Sequence, residues 1–471
     1  MPTGLRGAPA PAPTRPAAGW RRAVASLARH RAFTFAIALA AALRVVTVLG
    51  YPPARLYWYD SFTYLDNAVH LQPSATFHPI GYPLLLRALL PFHSVTVVVA
   101  VQHAMGLATG LIVYALARRR GLPAWVGVLA AAPVLFDASF LRLEHAVLSD
   151  ALFILFVVSA VAVLGWRERP STRAALAAGL LLAGAALTRT IGLPLLVLVL
   201  LVLALRRVSW RSLAALAVAG ALPLAGYAAW YGAVHGRVAL SGADGVALWA
   251  RTMTFADCAA VQPPPELAPL CPNGAVQDAA SEYVWDPTAS INLLPGGRFA
   301  HNEHARDFAL RAIAAQPLDY LRDVLADTSI AFHWTPVAHP ARTVPAFGFT
   351  RESSPLPDQP LVAEVRRTYG SDITAMRSVG PWADVLIAYQ HLAYLRGPVL
   401  AAILLLGAVG AVLRPGRAAL PWAVAVGLLV GPVAALDFDH RYVLPVVPVA
   451  GVAAALAVRP REVQSDRTCR R

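Results

Sequence analysis

The chain has 471 residues, of which 57% are hydrophobic and 14% are charged. Soluble globular domains carry about 25% charged residues, so the composition argues against a soluble protein and favours a membrane protein. The formal net charge is +14, from 40 basic residues, all of them arginine, and 26 acidic residues. These arginines lie in short clusters between apolar segments, which is typical of membrane topology and not of nucleic-acid binding.

The apolar segments predict the fold class. A helix needs about 20 mainly apolar residues to cross about 30 Å of hydrocarbon. About ten segments approach this length and predict an all-α polytopic membrane protein. They lie at residues 33–50, 94–116, 124–140, 147–165, 174–188, 190–205, 212–233, 396–413, 418–436 and 442–458. Arg189 separates two of them, and a charge at the bilayer centre costs about 2.5–3.5 kcal/mol, so a turn at the surface is predicted there.

The arginine clusters predict the orientation. They fall in every second loop, and positively charged loops stay in the cytoplasm. We therefore expect a multi-pass protein of the cell membrane with both termini cytoplasmic. The predicted parts are a disordered cytoplasmic leader (1–32), an N-terminal transmembrane module (33–233), an extracytoplasmic insert (234–381), C-terminal transmembrane helices (382–458) and a basic cytoplasmic tail (459–471).

The insert is interrupted by proline clusters and is expected to be mixed or mainly helical. Apolar residues recur at helical spacing on both sides of Pro317, which predicts two amphipathic helices. These helices either lie along the membrane surface or pack within the insert. Cys258 and Cys271 lie in the same segment, outside the cytoplasm, where a disulfide between them is permitted.

Three motifs carry the polar residues that we expect at the extracytoplasmic surface. The first loop reads Tyr-Trp-Tyr-Asp-Ser-Phe-Thr-Tyr from Tyr57, followed by His-Pro-Ile-Gly-Tyr-Pro from His78. A second acidic loop reads Leu-Arg-Leu-Glu-His-Ala-Val-Leu-Ser-Asp from Leu141, and a late element reads Arg-Tyr-Val-Leu-Pro from Arg441. In order and sidedness, the chain resembles the polyprenyl-phosphate-dependent glycosyltransferases of the membrane-embedded GT-C superfamily, in the protein mannosyltransferase and aminoarabinose transferase branch.

The resemblance implies an inverting transfer of a sugar from a polyprenyl-phosphate carrier to a protein, lipid or glycan acceptor at the outer face of the membrane. Asp60 is then the candidate general base, and Asp150 matches the second acidic position. Arg441 and Arg189 are candidates for stabilising the departing phosphate. The other expected substrate contacts are His78, Tyr82, Glu144, His440 and Tyr442. The chain departs from the protein mannosyltransferases at Ser61, because these usually carry an Asp-Glu pair in the first loop.

Other roles stay open for these residues. Asp60 could be the N-cap of a helix that starts near Ser61. Asp150 could hold a metal, the acceptor or Arg142, and Arg441 could form an ion pair with a nearby aspartate. A divalent metal also stays open, although Asp439-His440 and similar pairs match no zinc-binding spacing.

Two other functional classes fit the sequence less well than a transferase does. A lipid-linked sugar transporter or flippase would need polar residues near the bilayer midplane, and the polar candidates gather at one surface instead. A non-catalytic membrane scaffold would not need a carboxylate and arginines that converge. The sequence therefore favours the transferase.

Overall fold

The computed structural model describes residues 30–341 and 348–458 and is mainly helical there, with almost no strand. The predicted leader and tail, together with Cys469, lie mostly or wholly outside the described residues. Ten helices lie within residues 30–235. They are α1 (Arg31–Gly50), α2 (Trp58–His70), α3 (Gly81–Leu89), α4 (Val95–Arg119), α5 (Ala124–Phe136), α6 (Ala138–Glu144), α7 (Asp150–Gly165), α8 (Thr172–Thr188), α9 (Gly192–Leu205) and α10 (Trp210–His235).

The second part contains shorter elements, and the third returns to long apolar helices. The insert holds α11 (Asp244–Thr252), α12 (Cys258–Val261), α13 (Ala280–Trp285), α14 (Asn302–Ala315), α15 (Pro317–Ser329), α16 (Pro360–Thr368) and a two-residue antiparallel pair, β1 (Ser353–Ser354) with β2 (Met376–Arg377). After it come α17 (Trp382–Tyr389), α18 (Gly397–Leu413), α19 (Pro415–Ala435), α20 (His440–Val443) and α21 (Val446–Ala457). Five short 3₁₀ helices lie at Leu90–Phe92, Ala268–Leu270, Ser290–Leu293, Arg298–His301 and Ile330–Phe332.

Each of the ten predicted apolar segments is helical, and the helical polytopic membrane fold is confirmed. Among the described residues, five helices are long and apolar enough to cross a membrane, or six if α5 and α6, which meet at 53°, form one broken span. Four further apolar helices have 10–17 residues: α7, α8, α9 and α18. The number of about ten crossings therefore stays a prediction. The predicted turn at Arg189 is confirmed, because α8 ends at Thr188 and α9 begins at Gly192.

Small residues let the apolar helices approach closely. A Cβ atom added at Gly179 of α8 would lie 2.5 Å from the backbone oxygen of Leu216 in α10. No side chain larger than hydrogen fits at that distance, so the backbones of α8 and α10 are in direct contact. Close backbone contact of this kind is a common way for helices to associate in lipid, where the hydrophobic effect gives no drive for helix association.

The insert has a hydrophobic core of its own, in which Trp249 and Phe308 are completely buried. The two amphipathic helices predicted around Pro317 are present as α14 and α15. Phe308 lies on the face of α14 that packs into this core. Leu318, Leu321 and Leu325 follow one face of α15 and are 51–78% exposed. This exposed apolar face fits a helix that lies along the membrane surface.

Candidate functional site

The start of α2 positions the acidic residue of the first loop. The Tyr57 N–H donates a hydrogen bond to Ser61 Oγ (2.7 Å), and this hydroxyl in turn donates to the Val147 carbonyl oxygen (2.9 Å). Because Tyr57 is the N-cap and α2 begins at Trp58, Asp60 lies inside the first turn. The alternative that Asp60 caps a helix starting near Ser61 is therefore wrong. Ser61, the residue after Asp60, therefore anchors the loop to the neighbouring segment.

Asp60 lies between an imidazole and a guanidinium group. Its Oδ1 atom is 3.2 Å from His78 Nε2, and its Oδ2 atom is 3.5 Å from Arg441 Nη1. The carboxylate keeps 28% of its surface exposed, so a small group can reach it. Burial raises its pKa, but His78 and Arg441 outweigh that effect and hold the pKa of Asp60 well below its usual value. Asp60 is therefore ionised at neutral pH.

A row of hydrogen bonds fixes His78 behind Asp60. Tyr64 Oη is 3.0 Å from His78 Nδ1 and 3.1 Å from Ser149 Oγ. Tyr64 follows Asp60 by four residues, which puts both side chains on the same face of α2. Tyr82, a predicted substrate contact, is completely buried, packs edge-on against Tyr64 at 4.9 Å and donates a hydrogen bond to Gln102. Tyr82 therefore helps to hold the Tyr64 ring in position.

Arg441 is held in place by its own short helix. The Asp439 carboxylate caps α20 by accepting the Arg441 N–H (2.9 Å), and its other oxygen lies 3.1 Å from Arg441 Nε. The guanidinium carbon lies 5.4 Å from the ring centre of Tyr57 and 5.2 Å from that of Tyr442. These contacts hold Arg441 in a fixed position, with one edge of its guanidinium group facing Asp60.

Asp150 and Arg189 form a second acid–arginine pair beside the first. Asp150 is the first residue of α7 and is completely buried, and Arg189 lies between α8 and α9 with 18% exposure. The two form an ion pair, and the guanidinium of Arg189 lies 5.0 Å from the centre of the Tyr442 ring. Tyr442 thus contacts both arginines. Of the three partners left open for Asp150, Arg142 is excluded, because Arg142 pairs with Glu352 of the insert.

Two predicted substrate contacts lie elsewhere. Glu144 is 2% exposed and forms a buried network with Arg44 (2.8 Å) and His103 (2.9 Å). His440 Nε2 lies 2.8 Å from the Val337 carbonyl oxygen, and its side chain lines a separate cavity of about 270 Å³. The neighbouring Asp439 carboxylate contacts Arg441.

The structure therefore brings together Asp60, His78, Asp150, Arg189, Arg441 and Tyr442, which are the candidates that the three motifs and the Arg189 turn supply. We call these six residues the acid–arginine cluster. The residues missed by the sequence reasoning are Tyr57 and Tyr64, which surround it. The spacing of four between Asp60 and Tyr64 is the signal that could have found Tyr64. A base beside two guanidinium groups can accept a proton while the cations bind a phosphate.

Part of the chain is similar to known proteins. Residues 89–235, from the end of α3 to the end of α10, match the family of dolichyl-phosphate-mannose-protein mannosyltransferases. This match includes the second motif, from Leu141 to Asp150, and supports the resemblance to the protein mannosyltransferases over that part of the chain. A solved structure of the Saccharomyces cerevisiae protein O-mannosyltransferase Pmt1-Pmt2 complex, bound to its sugar donor, is 17% identical with a TM-score of 0.34. That similarity covers 52% of this chain and 38% of the other. No curated protein matches the chain.

Proposed function

We propose that this chain is an inverting glycosyltransferase that moves a sugar from a polyprenyl-phosphate carrier to an acceptor at the extracytoplasmic face of the membrane. The observation that carries the proposal is the position of Asp60, a partly exposed carboxylate 3.5 Å from Arg441. A base and a cation at this separation can act on the two ends of one displacement reaction. The family match over residues 89–235 supports the same class of reaction.

The reaction needs one proton transfer and one departing phosphate. The acceptor hydroxyl or amine attacks C1 of the sugar from the face opposite the phosphate, and Asp60 takes the proton that the acceptor loses. The bond between C1 and the phosphate oxygen breaks, and both of its electrons leave with the polyprenyl phosphate. Arg441, with Arg189 beside it, stabilises the negative charge on that phosphate, because guanidinium matches phosphate oxygens with two parallel donors.

The electrostatics of the cluster couple the two halves of the reaction. In the free protein Arg441 lowers the pKa of Asp60, which keeps the carboxylate ionised but weakens it as a base. An anionic phosphate on Arg441 offsets that positive charge. The pKa of Asp60 then rises, and the carboxylate becomes a better proton acceptor when the donor is bound. Donor binding therefore activates the base.

The arginine-rich loops support a cell-membrane protein with cytoplasmic termini and an outward-facing insert. In this orientation the acid–arginine cluster opens to the outside, where a protein, lipid or glycan acceptor is available. The donor chain stays in the bilayer beside the cluster. The sugar itself is not specified by these contacts.

Replacement of Asp60 tests the proposal. Membranes that contain the wild type or Asp60→Asn are supplied with radiolabelled polyprenyl-phosphate sugars, and transfer of label to acceptors is followed. We expect the variant to insert normally and to lose at least about 10²-fold in transfer, since general-base catalysis contributes about 10²–10⁴-fold. Asp66→Asn is the matched control, because Asp66 lies on the same helix and pairs with His70 at 3.0 Å instead. Normal transfer by Asp60→Asn would refute the base assignment.

A further inference from the structure

A second cluster of charged side chains joins the insert to the C-terminal helices. It consists of Asp327 from α15, His339 from the loop that follows, and Asp437, which comes just after α19. One imidazole nitrogen and two carboxylate oxygens of these residues lie within 4.8 Å of one another. Three separate segments therefore direct potential metal ligands to one point.

The charges around this point do not balance. Arg251 is completely buried and pairs with Asp323 and, at 2.5 Å, with Asp327. The three carboxylates of Asp323, Asp327 and Asp437 thus meet one arginine and one imidazole, so negative charge is in excess even if the imidazole carries a proton. Asp278 adds to this field near His339. Asp437 is buried and the other two carboxylates are partly exposed, and a divalent cation at this point would offset the excess negative charge.

The carboxylate of Asp437 is oriented before any metal binds. Its side chain is 4% exposed, and its Oδ2 atom accepts hydrogen bonds from the Ser281 N–H (3.0 Å) and the Ser281 hydroxyl (2.7 Å). Its Oδ1 atom accepts a hydrogen bond from the Phe438 N–H (2.7 Å) and lies 2.7 Å from His339 Nε2. Hydrogen bonds to the outer oxygen of a ligating carboxylate are the usual support of a metal site.

We propose that Asp327, His339 and Asp437 form a binding site for one divalent transition metal, with zinc as the best fit. A mixed set of imidazole and carboxylate ligands suits zinc, whereas magnesium and calcium prefer oxygen ligands alone. Tetrahedral ligands about 2.0–2.2 Å from zinc lie roughly 3.4 Å from one another. Separating His339 from Asp437 to that distance, and moving Asp327 inward, requires only side-chain movements of about 1 Å.

The site would fix the position of the loop that carries Arg441. Asp437 lies two residues before Asp439 and four before Arg441 in the chain. A metal bound to Asp437 and to Asp327 of α15 holds this loop against the insert. The metal therefore acts as a structural link, and its binding can be measured without any transferase activity.

Zinc titration of the purified, untagged full-length protein in detergent tests the site. We expect one Zn²⁺ per chain by calorimetry and by metal analysis, and a higher thermal unfolding temperature with Zn²⁺ than with a chelator. Mg²⁺ and Ca²⁺ should give much smaller shifts. Asp327→Asn and His339→Gln should each weaken zinc affinity by about 10-fold or more, as expected for the loss of one ligand.

Matched controls separate this site from adventitious binding. His70→Gln and Asp66→Asn change another Asp–His pair, with side chains 49% and 31% exposed, and should leave zinc binding unchanged. If wild type binds no zinc, or if Asp327→Asn and His339→Gln bind it like wild type, the cluster is an ion-pair network alone and the proposal is wrong. Asp327 is partly exposed, so Asp327→Asn remains informative even if a change at buried Asp437 prevents folding.

Discussion

Replacement of Arg441 by lysine should separate the shape of the cation from its charge. Lysine keeps one positive charge near Asp60 but offers a point charge in place of the planar fork of guanidinium. It also loses the planar contacts with the rings of Tyr57 and Tyr442, at 5.4 and 5.2 Å. We therefore expect Arg441→Lys to retain the fold and to bind the donor phosphate more weakly.

The contacts give the size of the effect. The second charged hydrogen bond to phosphate is worth about 1.5–3 kcal/mol, and each cation–π contact about 0.5–1 kcal/mol, part of which lysine keeps. A net loss of about 2–3 kcal/mol corresponds to roughly 10²-fold in donor binding, at about 1.4 kcal/mol per factor of ten. Arg441→Ala also removes the charge, so the loss should grow by about another tenfold.

Steady-state kinetics in nanodiscs, with a labelled polyprenyl-phosphate sugar, measure these changes. The alanine variant should also shift the acid limb of the pH profile to higher pH. Activity needs ionised Asp60, and loss of Arg441 removes a cation that lowers the pKa of this group. Arg306→Lys is the matched control, because Arg306 is also paired with carboxylates but lies in the insert. Unchanged donor affinity in both Arg441 variants, together with a lower unfolding temperature, would show that Arg441 is structural and refute the reasoning.

Three further predictions concern stability and topology. Glu144→Gln breaks a buried ion pair and should lower the free energy of unfolding by about 3–5 kcal/mol in detergent, and an unchanged unfolding temperature would contradict this. Cys258 and Cys271 are joined by a disulfide in the structure, 13 residues apart. Both should therefore resist thiol labelling before reduction, and Cys258→Ser should cost the insert about 3 kcal/mol. Reporter fusions should be cytoplasmic after Arg120 and external after Gly274, and a cytoplasmic signal from the latter would invert the topology.

Much of the fold follows directly from the sequence. A long apolar segment in lipid must form a helix, because its backbone N–H and C=O groups have no water there and must hydrogen-bond within the segment. The break at Arg189 was predictable for the same reason, since a charge is cheaper at a surface turn than in mid-membrane. The break at Asp137 was not predicted. Asp137 and Ser139 are the only strongly polar residues in an otherwise apolar stretch there, and the bend of 53° between α5 and α6 also depends on partners from elsewhere in the chain.

The candidate site was predicted less completely. The order of the motifs identified Asp60 and Arg441 as candidates. It did not show that these two side chains, which are 381 positions apart in the sequence, face each other. Two residues in the motifs were assigned to substrate because local sequence does not report burial. Glu144 and Tyr82 are both inside the protein, where their partners come from α1 and α4. Such partners are set by tertiary packing and leave no periodic signal in the sequence.

Arg44 of α1 and Glu144 of the second motif explain how the break between α5 and α6 is tolerated. The Val134 and Leu135 carbonyls lose their helical partners at this break. They accept hydrogen bonds from Arg44, at 3.1 and 3.0 Å. The charge of Arg44 is balanced by Glu144 at the end of α6. Arg44 donates hydrogen bonds to carbonyl oxygens that have no helical partner, and a carboxylate pairs with its charge. Burying the arginine and the carboxylate together therefore costs far less free energy than burying either group alone.

The same motif then determines where the base lies. Just after Glu144, the Val147 N–H donates to the Arg55 carbonyl oxygen (2.9 Å), and the Arg55 N–H donates to the His145 carbonyl oxygen (3.0 Å). The Val147 carbonyl oxygen accepts from Ser61 Oγ, next to Asp60. Because these bonds connect the end of α6 to the start of α2, loss of Glu144 should displace Asp60 as well as destabilise the fold. We therefore infer that Glu144, in the second motif, helps to position Asp60, the acidic residue of the first motif.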